Sequence, residues 1–361
     1  MSTYTIPVGP LHVALEEPMY FKIDVSGETV TGVEITAGHV HRGLEYLLTK
    51  RNHYQNIVLT ERVCSLCSNS HPQAYAMAVE KIAGIEISAR AEYLRAVADE
   101  VKRVASHLFN VGILAHLTGF DSFFMHIMET RELMQDIKEG IFGNRMDIGA
   151  NTIGGVRYDL DEAKIRFLLE TLDKLDPALA EIESIYATDG SLAARMRGVG
   201  VLTRQQAIDC GVVGPVARAS GIDYDVRLKA PYGAYDRLTV NVQTRQEGDV
   251  WSRAMVRIAE ARDSVAILRQ CVTALPEGVA CVSMDRPSIP PGDAVAKCEA
   301  PRGELIYFVR TNDSARPERV KWRVPSYMNW DALGLMLQGA KIADIALIVA
   351  SIDPCISCTE R

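Results

Sequence analysis

Aromatic residues are scarce, 7% of 361 positions, and basic residues are outnumbered by acidic ones, 39 to 46. The first shortage argues against a base-stacking surface. The second, a net charge of −7, excludes the broad basic face of a nucleic-acid binder. Long apolar runs are missing too. The most continuous one, Ile345 to Ala350, is far below the ~20 residues of a membrane-spanning helix. The start, Met1-Ser2-Thr3-Tyr4-Thr5, has neither the basic segment nor the apolar stretch of a secretory signal. Eight cysteines are too few for a disulfide scaffold in a chain this long. A soluble chain in a reducing compartment is expected.

Local patterning points to a mostly α chain with a small antiparallel β portion, an α+β fold. Phe21–Val25 and Val30–Ile35 partly alternate around Ser26-Gly27-Glu28, a hairpin signal within an N-terminal β region of about 1–40. Leu94, Val97, Val101, Val104, Leu108 and Val111 recur every three or four positions and predict one long amphipathic helix. Asp249 to Thr273 predicts a second, and 121–140 and 161–187 predict shorter ones. Glycine, proline and tyrosine in 211–245 predict loop, and the prolines of 276–301 predict irregular or extended chain. Strands are expected at Glu304–Arg310 and Arg319–Val324, a helix from about Asn329, and a strand or helix over Ile342–Ile352. The length would suit two or three domains. No repeat or low-complexity linker divides it, so 1–361 reads as a single unit with a C-terminal segment at 342–361.

Four cysteines form two C-x-x-C pairs, Cys64 with Cys67 and Cys355 with Cys358, one near each end of the chain. Each turn brings two thiolates within reach of one ion, and two turns together make an S4 set for zinc, iron or nickel. A structural zinc site is the bland alternative, but zinc modules keep their pairs close in sequence. A thioredoxin-like pair would need a βαβ context that neither pair has. An S4 set closed by both ends of the chain suits a catalytic centre walled by the whole fold. Cys210, Cys271, Cys281 and Cys298 have no tight partner and read as small buried apolar residues.

Arg62-Val63-Cys64-Ser65-Leu66-Cys67, with His71 after it, resembles the R-x-C-G-x-C-x-x-x-H signature of [NiFe]-hydrogenase large subunits. Asp353-Pro354-Cys355-Ile356-Ser357-Cys358-Thr359-Glu360-Arg361 resembles their terminal D-P-C-x-x-C-x-x-[H/R]. Ser65 replaces the common glycine and Arg361 the common histidine. Gly9–His12, His41–Glu45, Ser106-His107-Leu108, Ile153–Arg157, Arg218–Arg227 and Pro231-Tyr232 resemble the complex I 49-kDa subunit. Both likenesses together resemble the membrane-bound, energy-converting (Ech-type, group 4) hydrogenases, whose large subunit is a helical bundle.

The resemblance implies a set of roles. Cys64 and Cys355 would be terminal nickel thiolates, and Cys67 and Cys358 would bridge nickel to an iron carrying CO and cyanide. Arg302, in Ala300-Pro301-Arg302-Gly303, would sit over the site. Pro301 would line it, and Pro325 with Ser326 would face the cyanides. Glu17, with Glu16 as the alternative register, would relay protons. Asp121 would line the site or else N-cap the following helix, and His71 would bond a bridging sulfur or cap a helix start. His39 and His41 are further candidates for surface or proton-path roles. In the family, the counterpart of Glu45 shares a secondary magnesium or iron ion with the terminal histidine. A guanidinium cannot ligate, so a Glu45–Arg361 ion pair is expected instead. Implied partners are a small subunit carrying a [4Fe–4S] cluster, further iron–sulfur subunits, integral-membrane subunits and, indirectly, ferredoxin. The implied place is peripheral, on the cytoplasmic side of the cell membrane. The alternatives are a complex I-like quinone or electron-transfer subunit, a hydrogen sensor and a structural zinc protein.

Overall fold

The computed structural model describes residues 3–12, 15–282 and 288–361. The N-terminal β region is a three-stranded antiparallel sheet: β1 (Thr3–Val8), β2 (Tyr20–Ser26) and β3 (Thr29–Thr36), in that order. Alternation along β2 buries Phe21, Ile23 and Val25 while Lys22 and Asp24 face out. The β2–β3 hairpin stands at the expected place, and β1 lies within the expected β region, though its exposed edge carries little apolar alternation to mark it.

The helical body begins with α1 (Leu44–Leu48), α2 (His53–Glu61) and α3 (Ser70–Ala83). The longer α4 (Ala89–Leu117), α5 (Asp121–Phe142) and α6 (Glu162–Thr188) follow. Asn52 opens α2 with a reciprocal capping box to Gln55, and Ser88 and Asp161 cap α4 and α6 through their side chains. The helix Val250–Thr273 packs along α4 and α6, and α5 lies against both α4 and α6. All six residues of the predicted stripe on α4 are buried. The rest of that helix is not solvated, however. Arg95, Asp99, Glu100, Lys102, Arg103, Ser106, His107 and Asn110 are buried as well. The helix runs through the centre of the body, with an apolar face on one side and a polar network on the other.

That network is paired. Glu100 accepts from Arg103, Arg227, Tyr235 and Ser264. Burial alone would raise its pKa, but Arg103 and Arg227 hold its carboxyl below the ordinary value. Glu260 bonds His107 and Arg218, and Arg218 also bonds Glu299.

The stretch 211–245, read as loop, contains short helices at Gly214–Ala219 and Val226–Lys229 and a 3-10 turn at Gly233–Asp236. They are too short to show a period. The irregular stretch 276–301 ends in the strand Gly292–Ala300, and 283–287 lie outside the described residues. This strand pairs with Gly303–Thr311, which pairs with Pro317–Arg323 in a second three-stranded antiparallel sheet. The next helix starts at Pro325, earlier than expected, because proline suits a first helical turn. Ile342–Ile352 is helical, a 3-10 turn followed by Ile345–Ser351.

Candidate metal centre

Two turns meet inside the body. The turn between α2 and α3 carries Cys64 and Cys67, and Asp353-Pro354-Cys355 leads into the last helix, Ile356–Glu360, which carries Cys358. The four Sγ atoms lie within 4.8 Å of one another and all four residues are buried. Cys67 Sγ is 3.3 Å and Cys355 Sγ 2.9 Å from Cys358 Sγ. Hydrogen bonds from Cys355, Cys358 and Cys64 hold the Cys67 thiol well below its usual range, while burial and the neighbouring sulfurs push Cys358 up. Four buried sulfurs at this spacing cannot all be thiolates unless a cation offsets their repulsion. The donor set therefore fits a soft metal ion or pair of ions, and only as thiolates do all four sulfurs ligate. Among the described residues this is the one cluster of His, Cys, Asp or Glu placed to hold a metal.

A polar wall surrounds the sulfurs. Pro301 and Arg302 form the two-residue turn between Ala300 and Gly303. Gly214 lets this turn approach, because a Cβ there would lie 2.1 Å from the Arg302 carbonyl oxygen. Arg302 donates through Nε to the Asp353 carbonyl at 2.8 Å, through Nη2 to Asp353 Oδ1 at 2.6 Å and through Nη1 to Ser106 Oγ at 3.4 Å. Asp353 enters the site through its pairing with the buried Arg302, which residue type alone does not reveal, and its φ of 56° puts it in the left-handed region. Ser326 Oγ accepts from Cys355 N at 3.0 Å, which leaves its own hydrogen for another acceptor, and Pro325 starts its helix. His71 Nε2 is 3.2 Å from Cys358 Sγ and Nδ1 is 2.8 Å from the Tyr307 hydroxyl. Trp322 stacks on Tyr307 and donates to the Cys358 carbonyl.

Glu17 reaches the same loop from the N-terminal side. Its carboxylate accepts from Ile356 N, from Ser357 N at 3.0 Å and from Ser357 Oγ. Glu16 shares a small cavity with Glu17, Leu15, Met19, Val349 and Pro354. Burial of its carboxyl and the nearby Asp353 push Glu16 up to about 7, against Arg302.

Asp121 is not at this site. Its side chain is exposed and accepts from His116 Nδ1 at 2.7 Å. Nor does it cap α5, since the helix begins at Asp121 itself, after Phe120, with no side-chain cap bond. His39 is exposed, and His41 bonds the Glu360 carbonyl at 2.6 Å. Glu45 lies 3.2 Å from Arg361 Nη1 and 3.5 Å from Arg319 Nη2. Two guanidiniums meet one carboxylate there, so these residues do not fit a secondary metal ion. A cavity of about 790 Å³ between Tyr54, Val58, Arg157, Tyr158 and Cys281 contains none of these site residues.

Fold and site together define a mostly helical protein of the oxidoreductase kind, built around a buried four-cysteine cluster fit to hold metal. Residues 118–287 and 280–361 match the model of the 49-kDa subunit of respiratory-chain NADH dehydrogenase, and 42–136 match nickel-dependent hydrogenase. The chain is 64% identical to the carbon monoxide-induced hydrogenase of Rhodospirillum rubrum over the whole of both chains. It is 37% identical to the membrane-bound hydrogenase subunit alpha of Pyrococcus furiosus, over 99% of this chain and 87% of that one. A solved archaeal respiratory membrane complex, the membrane-bound sulfane sulfur reductase, superposes with a TM-score of 0.94 at 31% identity, covering 99% of this chain and 98% of its counterpart. The chain belongs to the nickel-dependent hydrogenase large subunits that are related to the complex I 49-kDa subunit. It is the hydrogenase large subunit of a membrane complex. No helix among the described residues is long and apolar enough to cross a membrane.

Proposed function

We propose that this large subunit interconverts protons and electrons with hydrogen at a nickel–iron centre held by Cys64, Cys67, Cys355 and Cys358, with CO and cyanide on the iron. The observation that carries the reading is the set of four buried sulfurs within 4.8 Å. It separates this chain from the quinone-binding reading, since quinone binding needs no such set. When bound, the metal pair supplies heterolytic cleavage of hydrogen and its reversal.

The chain's own residues shape and serve the pocket. Cys64, Cys67, Cys355 and Cys358 would hold the metal pair, Cys64 and Cys355 as terminal thiolates and Cys67 and Cys358 as shared ones. Arg302, tied to Asp353, presents fixed positive charge to the iron's ligands, with Pro301 and Pro325 as walls and Ser326 offering its hydroxyl hydrogen. His71 holds the Cys358 sulfur. Glu17, bonded to the Cys355–Cys358 loop, passes protons between that loop and the surface. Electrons come from another chain, because no second metal cluster is placed among the described residues. We assign their delivery to a small subunit carrying a [4Fe–4S] cluster and further iron–sulfur subunits, fed by reduced ferredoxin. Integral-membrane subunits would couple the reaction to ion translocation and hold the chain at the cytoplasmic face.

Elemental analysis of the anaerobically purified complex is expected to find nickel and iron, and infrared spectra to show bands of metal-bound CO and cyanide. Absence of both nickel and those bands from active complex would overturn the proposal.

A further inference from the structure

Lys102 is buried in the middle of α4, 3% exposed, on the polar side of that helix. Its ammonium donates at 2.8 Å to the carbonyl of Ser65, the residue just after Cys64 in the first cysteine turn. At the same distance it donates to the carbonyl of Met146, in the segment that follows α5. Burial pulls the Lys102 pKa down, and Cys64, Asp147, Cys67 and Glu61 oppose that pull. Glu61 and Asp147 are engaged elsewhere as well, by Gly149 N and by Arg62. An ammonium deep in a protein needs strong acceptors and nearby negative charge. Here two carbonyls supply the first, and the cysteine sulfurs, once ionised, supply part of the second.

We propose that Lys102 is a positioning residue for the metal centre, clamping the Ser65 carbonyl and keeping a positive charge beside Cys64 and Cys67. The inference rests on the metal-centre reading above. Net charge and hydrogen bonding around ligating sulfurs set how much electron density they give a metal. A cation next to two of the four thiolates weakens their donation and raises the potential of the centre.

The test compares wild-type complex with Lys102→Met, Lys102→Gln and Lys102→Arg. Methionine removes both charge and donor, glutamine keeps a donor, and arginine keeps the charge. Loss of the charge is expected to shift all iron-ligand infrared bands to lower wavenumber and the nickel midpoint to more negative potential. Arginine should bring both back towards wild type. Bands and midpoint that coincide with wild type in both Lys102→Met and Lys102→Gln would overturn the inference. Wild-type complex without such bands would instead count against the nickel–iron reading. Lys102 is then judged on the metal-free full chain titrated with cobalt(II). There the thiolate-to-cobalt absorption should move to lower energy in both uncharged variants, and an unchanged band would overturn the inference.

Discussion

Glu16 and Glu17 are neighbours in different states. Glu17 is committed to three donors of the cysteine loop, whereas desolvation of the carboxyl and Asp353 push Glu16 up to about 7. Glu17→Gln is expected to lower hydrogen evolution by about 100-fold, the usual scale for a lost proton-transfer group, with nickel content unchanged. A drop in nickel equal to the drop in rate would make Glu17 a loop anchor only. In Glu16→Gln, the inflection near pH 7 in the pH–rate profile should weaken, because the raised carboxyl next to Glu17 is gone. Among the cysteines, Cys355→Ser should abolish activity and nickel binding. Cys210→Ser, which alters a partly exposed residue outside the sulfur cluster, should leave both intact. Equal loss in the two would mean the ligands are misassigned.

At the scale of an element, α5 carries a liability. Lys138 is 1% exposed, and burial, with Lys102, Arg131 and Arg145 adding to it, lowers its pKa from 10.5 to about 6. Between those values the unfolded chain binds the proton and the folded one does not, so stability rises with pH across that window. Lys138→Met should therefore stabilise the protein, by up to about 5 kcal/mol at pH 7. The gain should be largest below about pH 6 and vanish near pH 10.5. Melting temperatures at pH 6, 8 and 10 check this, and a gain that grows with pH would contradict it. The apolar face of α4 was legible because leucine and valine recur with the helical period. Its second face was not, since buried Glu100, Lys102 and Arg103 have the composition of a solvated surface and only their partners on other elements make burial tolerable.

At the scale of the whole molecule, the two ends of the chain close on each other. The Arg361 carbonyl accepts from Arg42 N and Gly43 N, and its guanidinium meets Glu45 while stacking near Trp322. Arg42 also donates to the Val63 and Ser357 carbonyls, so one side chain spans both cysteine turns. Glu45→Gln should cost about 2 kcal/mol, the scale of a charged hydrogen-bonded pair whose side chains are only 21% and 14% exposed. It should also speed nickel loss to a chelator, because the last helix carries Cys358. Melting temperature and the rate of metal release measure the two effects separately, and an unchanged release rate would confine Glu45 to stability.

The sequence by itself determined the chemistry on offer: two C-x-x-C pairs, a terminal arginine that cannot ligate, an acidic chain without a membrane span, and long helices. Residue type and local period carry that information, and neither depends on distant contacts. Only the tertiary structure decided which polar groups stand beside the sulfurs. It brought Asp353 and Ser106 to Arg302 and Lys102 to the first cysteine turn, and left Asp121 at the surface with His116. Placement of this kind depends on how separate elements pack, because the cost of burying a charge is met by partners far away in the chain.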